Sequence, residues 1–93
     1  MLTGILFISI FLKESKTIKD RRQVVKSIKD RIRHRFNVSV IELDNQSKLK
    51  RADFGFSMVS NKEGEIVRTF DKIHRFIEDS YPVEIVELES SII

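Results

Sequence analysis

"GILFISIFL", residues 4–12, holds a single polar side chain, Ser9. Isoleucine and phenylalanine crowd it and no proline interrupts it, so it reads as a β-strand. A strand in a small two-layer domain usually buries one face and wets the other, and its residues then alternate. Here Ile5, Phe7 and Phe11 fall on one parity and Leu6, Ile8 and Ile10 on the other. Both sets are apolar, which places the strand at the centre of a sheet, with helices over one face and another cover over the second. Alternation leaves open which parity meets the helices.

Downstream, "KESKT" supplies a turn, and Thr17 followed by Asp20 is a capping box opening a helix that runs to about Phe36. At 100° per residue Ile18, Val25, Ile28, Ile32 and Phe36 share a core-facing sector, with Val24 at its margin. "NVSVIELD" (37–44) reads as a second strand, "NQSKLKR" (45–51) as a polar connection, and "DFGFSMVS" (53–60) as a third strand apolar on both parities. Ser60 and Glu63 repeat the capping-box spacing. Ile66, Phe70, Ile73 and Ile77 then recur at helical intervals, until Pro82 ends the helix near Ser80. "VEIVELE" (83–89) is the last strand. The order βαββαβ predicts one α+β domain over residues 1–93, a four-stranded antiparallel sheet with two helices on one face and strands one and three in its middle.

The second face of those central strands is then open, and a contiguous apolar patch there marks an interface. A two-fold homodimer is the simplest cover, because one patch buries its own copy. The alternatives are a monomer that tolerates the patch, loops or a C-terminal "SSII" folded across it, and a tetramer or a foreign partner.

Charge is unevenly spread. The net charge is +3, yet residues 13–51 hold thirteen Lys or Arg against five Asp or Glu, while residues 78–93 hold five acids and no base. Lys19, Arg22, Lys26, Lys29 and Arg33 step by three and four along the first helix and fall within about 80° of arc beside the buried sector. They form a row about 20 Å long. Such a row suits phosphates, and Arg31, Arg35, Lys48, Lys50 and Arg51 extend it, a pattern that permits an RNA partner without demanding one. Against this stands a merely solvated face, with Asp30 compensating locally through Lys26 and His34.

Other chemistries find little support. "LFI" (6–8) and "FGF" (54–56) resemble fragments of the RNA-recognition motif, which stacks bases on sheet aromatics. Ala52, Asp53 and Val59 stand where that signature needs a basic residue, a glycine and an aromatic, so Phe7, Phe54 and Phe56 are expected to be ordinary core. The turn after strand one has no glycine to cradle a phosphate, which argues against an acylphosphatase-like enzyme or an amino-acid-sensing domain. Asp71, His74 and Glu78 share a helix face, but Lys72 and Arg75 beside them favour a solvated surface over a metal site. No catalytic residue, metal or cofactor is assigned. Cysteine is absent, and the apolar N-terminus stops at Lys13 without a basic leader, so the chain is expected to be cytoplasmic and away from membranes.

The stretch from Ser15 to Asn61 resembles the YlxP-like family of small bacterial proteins, the domain of unknown function numbered 503. "SKTIKDRR" (15–22), "FNVSV" (36–40) followed by Glu42, and "RA" (51–52) carry the resemblance. "SKLKR" departs from it, since the family often has an aromatic shortly before the arginine. The resemblance implies a ferredoxin-like fold and no reaction. It also implies an RNA or ribosomal partner, because members are often encoded beside translation factors and a ribosome-binding factor.

Overall fold

The computed structural model describes residues 1–43 and 48–93. The expected end of the second strand at Asp44 and the connection through Asn45, Gln46 and Ser47 lie outside the described residues. The elements are β1 (Leu2–Leu12), α1 (Ile18–Arg35), β2 (Ser39–Leu43), β3 (Arg51–Ser60), α2 (Glu63–Ser80) and β4 (Val83–Ile92). They build one antiparallel sheet in the order β2-β3-β1-β4. The expected order and the central position of β1 and β3 are as found.

The parity of β1 is settled by what the helices bury. Leu6, Ile8, Ile10 and Leu12 are buried with Ala52, Phe54, Phe56 and Met58 of β3, under Val25, Ile28 and Ile32 of α1 and Ile66, Phe70, Ile73 and Ile77 of α2. Each large side chain in this layer contributes roughly 1.5–3 kcal/mol by leaving water. Gly4 shares the inward parity because α2 lies directly on it: a methyl group there would collide with Ile66 Cγ2 and stand 2.9 Å from the Phe70 ring.

The outward parity of β1 carries Ile5, Phe7, Ser9 and Phe11. Strand β3 corrects the expectation of apolar residues on both sides. Its outward residues are Arg51, Asp53, Gly55, Ser57 and Val59, so it alternates as a half-wet strand should. Counting Gly55 and Val59 as hydrophobic had disguised that alternation.

Three further local expectations are adjusted. The capping box at α1 forms, with Thr17 Oγ1 accepting from the Asp20 N–H at 3.1 Å and Asp20 Oδ2 accepting from the Thr17 N–H at 3.2 Å. Ile18, however, is 59% exposed. It is the first residue of the helix, and its angular position alone does not bury it. Ser60 does not cap α2, which begins at Glu63 with Lys62 as its N-cap; the Ser60 hydroxyl instead accepts from the Lys62 N–H at 3.0 Å. "SSII" does not fold across the sheet. Ser90, Ser91 and Ile92 continue β4, and Ile93 exchanges two backbone hydrogen bonds with Thr3.

Candidate nucleic-acid interface and open sheet face

Helix α1 has three functional sides. Its buried side includes one charge, Arg21, whose Nη1 stands 3.0 Å from Glu42 Oε2 while its Nε donates to the Arg51 carbonyl at 3.0 Å. Arg21 thereby pins the start of α1 to β2 and to the entry of β3. It sits at a core angle among apolar residues, a position where an arginine must find partners; sequence reading assigned it no role.

The flank turned toward the β2 edge carries the predicted row. Lys19, Arg22, Lys26 and Arg33 are exposed and Lys29 is half-buried. Asp30 is the carboxylate among them. It takes Lys26 Nζ at 2.6 Å and lies 3.8 Å from Arg33 Nη1, and the Lys26 hydrogen bond holds its carboxyl below the ordinary range. Arg33 also donates through Nη2 to the Val40 carbonyl at 3.0 Å, fastening the helix to the edge strand. The expected pairing of Asp30 with Lys26 is present, and its second partner is Arg33 instead of His34.

The three basic residues near β3 divide. Lys48 is exposed. Lys50 places Nζ 6.0 Å from the centre of the Phe11 ring, and Arg51 Nη2 donates to Ser9 Oγ at 2.9 Å. Phe11 and Ser9 both point away from the helices, so the side chains of Lys50 and Arg51 belong to the other face of the sheet. Only the Arg51 backbone carbonyl adjoins the start of α1, through Arg21.

The flank facing α2 holds Arg31 and Arg35, which the sequence reading places as extensions of the row and which the structure turns onto aromatic rings instead. Arg31 lies 4.8 Å from the Phe76 ring centre and 5.5 Å from that of Tyr81, and Arg35 lies 4.6 Å from Phe76. The Tyr81 hydroxyl is 2.8 Å from Ser27 Oγ and accepts from Arg31 Nη1 at 3.3 Å. Both arginines are thus held over aromatic rings and contribute to packing between the helices. The recurrence of Ser27, Arg31 and Arg35 at intervals of four was the available signal.

On the open face, Ile5, Ile41 and Val59 are 45%, 58% and 53% exposed. Phe7 shares its row with Gly55 and Ile41, buried Ser9 makes the centre polar, and Phe11 lies beyond Ser9 beside Arg51. Glu84, Glu87 and Glu89 of β4 align with Phe11, Ser9 and Phe7 and form an acidic margin. Phe54 and Phe56 lie on the core side, leaving Phe7 without the partner rings that base stacking would use. On α2, His74 Nε2 is 2.9 Å from Glu78 Oε1 and its Nδ1 is 3.7 Å from Asp71, which also holds Arg75 at 3.0 Å. Among the described residues no cluster suits a metal ion, and no helix is long and apolar enough to cross a membrane.

Two helices on one side of a β2-β3-β1-β4 sheet define a ferredoxin-like α+β domain. Solved structures agree at the level of fold: a structural-genomics protein titled YJCS has a TM-score of 0.64 at 9% identity, covering 96% of each chain. The de novo designed protein Foldit4 has a TM-score of 0.60 at 15% identity, covering 98% of this chain and 97% of its own. A designed protein described as having a ferredoxin fold scores 0.53 at 11% identity, covering 99% and 85%. Residues 3–90 match the family described as "Protein of unknown function (DUF503)". The "Uncharacterized protein YlxP" of Bacillus subtilis (strain 168) is 32% identical over 69 residues, 74% of each chain. The chain therefore belongs to the DUF503 family, as the motifs at 15–22, 36–42 and 51–52 had implied.

Proposed function

We propose that this protein binds structured RNA, free or within a ribosomal subunit, through the β2-side flank of α1. The observation that supports this reading is the row Lys19, Arg22, Lys26, Lys29 and Arg33 along about 20 Å of one helix flank, with Asp30 as its one interleaved carboxylate. Phosphates spaced along a backbone match such a row, and binding of this kind positions the nucleic acid without reading its sequence. Lys48 is exposed and adds a further positive charge. Co-sedimentation with ribosomal subunits and titration of a structured RNA across salt concentrations test the proposal. Five neutralised phosphates predict a slope of log affinity against log salt of roughly −3.5 to −4.5. Lys26→Glu with Lys29→Glu should abolish binding; affinity that ignores salt, or survives that double change, removes the proposal.

A second reading has its own support in the exposed Ile5, Ile41 and Val59 on the open face. That surface associates with a second copy of the chain. Arg51 and Lys50 lie at one end of β3 and Glu84, Glu87 and Glu89 on β4, so the face offers both signs of charge to its own copy. Sedimentation velocity over a dilution series should show a dimer that Ile41→Asp dissociates. A strict monomer at every concentration eliminates this reading and leaves the RNA proposal untouched.

A further inference from the structure

The segment "SKTIKDRR" does more than begin the basic row. Between the turn after β1, the first two turns of α1 and the entry of β4 lies a cleft of about 200 Å³. Its apolar wall is Leu12, Val24, Pro82 and Val83. The polar wall is Glu14, Ser15, Asp20 and Gln23, and among the described residues no lysine or arginine lines it. Ser15 is 4% exposed, yet its hydroxyl forms no hydrogen bond with the described residues. A buried hydroxyl without a partner is costly, and one placed in the wall of a cleft is ready for a ligand's polar group.

We propose that this cleft binds a small alkylammonium ligand, a primary amine or diamine with a short aliphatic body. Two carboxylates with no cation in the lining repel anions and attract an ammonium group. The three donors of an ammonium match Glu14, the Asp20 carboxylate and the Ser15 hydroxyl as acceptors. Leu12, Val24 and Pro82 take the methylene chain. Asp20 is already ordered: its Oδ2 accepts from the Lys16 and Thr17 backbone N–H groups at 3.1 and 3.2 Å. Those hydrogen bonds hold its carboxyl below the ordinary value, so it remains charged. The side chains of Lys13, Lys16 and Lys19 are the nearby competing cations in sequence; all are exposed and none enters the lining.

The test is backbone amide chemical-shift titration of the full chain with n-butylamine and putrescine as probes, and with 1,4-butanediol and butyrate as neutral and anionic controls. Both amines should give saturable shifts confined to the amides of Ser15, Gln23, Val24 and Val83, and the controls should give none. Glu14→Gln should weaken binding about fivefold, and Ser15→Ala about five- to tenfold, the loss of one or two hydrogen bonds to a charged group. Because the Ser15 hydroxyl has no partner in the free protein, Ser15→Ala should melt no lower than the parent, which separates a binding defect from a folding one. Non-saturating shifts spread over the acidic residues of β4, equal response to butanediol, or affinity unchanged in both variants would each overturn the proposal.

Discussion

Arg51 donates to Ser9 across the β1–β3 pair at 2.9 Å, on the side of the sheet away from both helices. In the sequence Arg51 ends a basic run that seemed continuous with the α1 row; in space the sheet separates the two. Removing a row residue should therefore alter RNA binding in a way that removing Arg51 does not. Lys29→Ala is expected to reduce the magnitude of the salt slope by about 0.7 to 0.9, one phosphate contact, while Arg51→Ala leaves the slope unchanged. Equal effects from both would place the RNA on some other surface.

Asp30 opposes the row from within it, holding Lys26 at 2.6 Å and standing 3.8 Å from Arg33. Exposed pairs of this kind contribute little to stability, because solvent screens them. Asp30→Asn should accordingly melt close to the parent while binding RNA about two- to fivefold more tightly, since a repelling carboxylate is lost and Lys26 is released. A filter-binding isotherm at fixed salt reads this directly; weaker binding by the variant would count against phosphate contact at Lys26.

Gly4 has no role in a turn, and its requirement is one of space. Ile66 and Phe70 rest on its Cα where any other residue would carry a methyl group. Gly4→Ala should lift α2 from β1 and lower stability by about 1–3 kcal/mol, the usual cost of overpacking. Urea unfolding measures it, and a neutral result would mean that α2 shifts freely over the sheet.

The element order was legible because helical and strand periodicities, a capping box and one proline mark boundaries locally. The inward parity of β1 was not, since Ile5 and Phe7 differ little in hydrophobicity from Leu6 and Ile8, and only the helices decide between them. The outward face of β3 was misread for a related reason: Gly55 and Val59 look apolar in a string, whereas Arg51, Asp53 and Ser57 make that face wet. At the candidate site the α1 row followed from angular spacing alone. The turning of Lys50 and Arg51 to the other face, and the capture of Arg31 and Arg35 by Phe76, depend on contacts between segments far apart in the chain. The Ser15 cleft was equally hidden, because its walls come from residues 12–24 and 82–83.

The strand order also restricts how two copies can meet through their open faces. A two-fold axis parallel to the strands lays β3 of one copy over β1 of the other and β2 over β4, bringing Arg51 toward the partner's Glu84, whose row it shares through Phe11. An axis perpendicular to the strands sets β4 over β4 and opposes Glu84, Glu87 and Glu89 to one another. Facing sheets lie about 10 Å apart, within reach of an arginine paired with a glutamate. Arg51→Glu and Glu84→Arg should each weaken the dimer, and the double variant should recover it. Additive weakening in sedimentation would reject the parallel axis.

The α1 cap predicts the sign of an acid effect. Backbone hydrogen bonds, that from Lys16 foremost, lower the Asp20 carboxyl from its ordinary 3.8 in the folded chain. A depressed folded value means that the fold prefers the ionised form. Its contribution is present above the unfolded value and is lost as pH falls through 3.8 toward the folded value. Asp30 shifts in the same direction through Lys26, so both act together on α1. Asp20→Asn cannot titrate, and the excess stability of the parent over this variant should be constant above about pH 5 and shrink as the acid limb is entered. Thermal melts of both proteins from about pH 7 to about pH 2.5 provide the comparison. A gap that widens on acidification would mean that the carboxylate is destabilised at the helix start, contrary to the hydrogen bonds it accepts there.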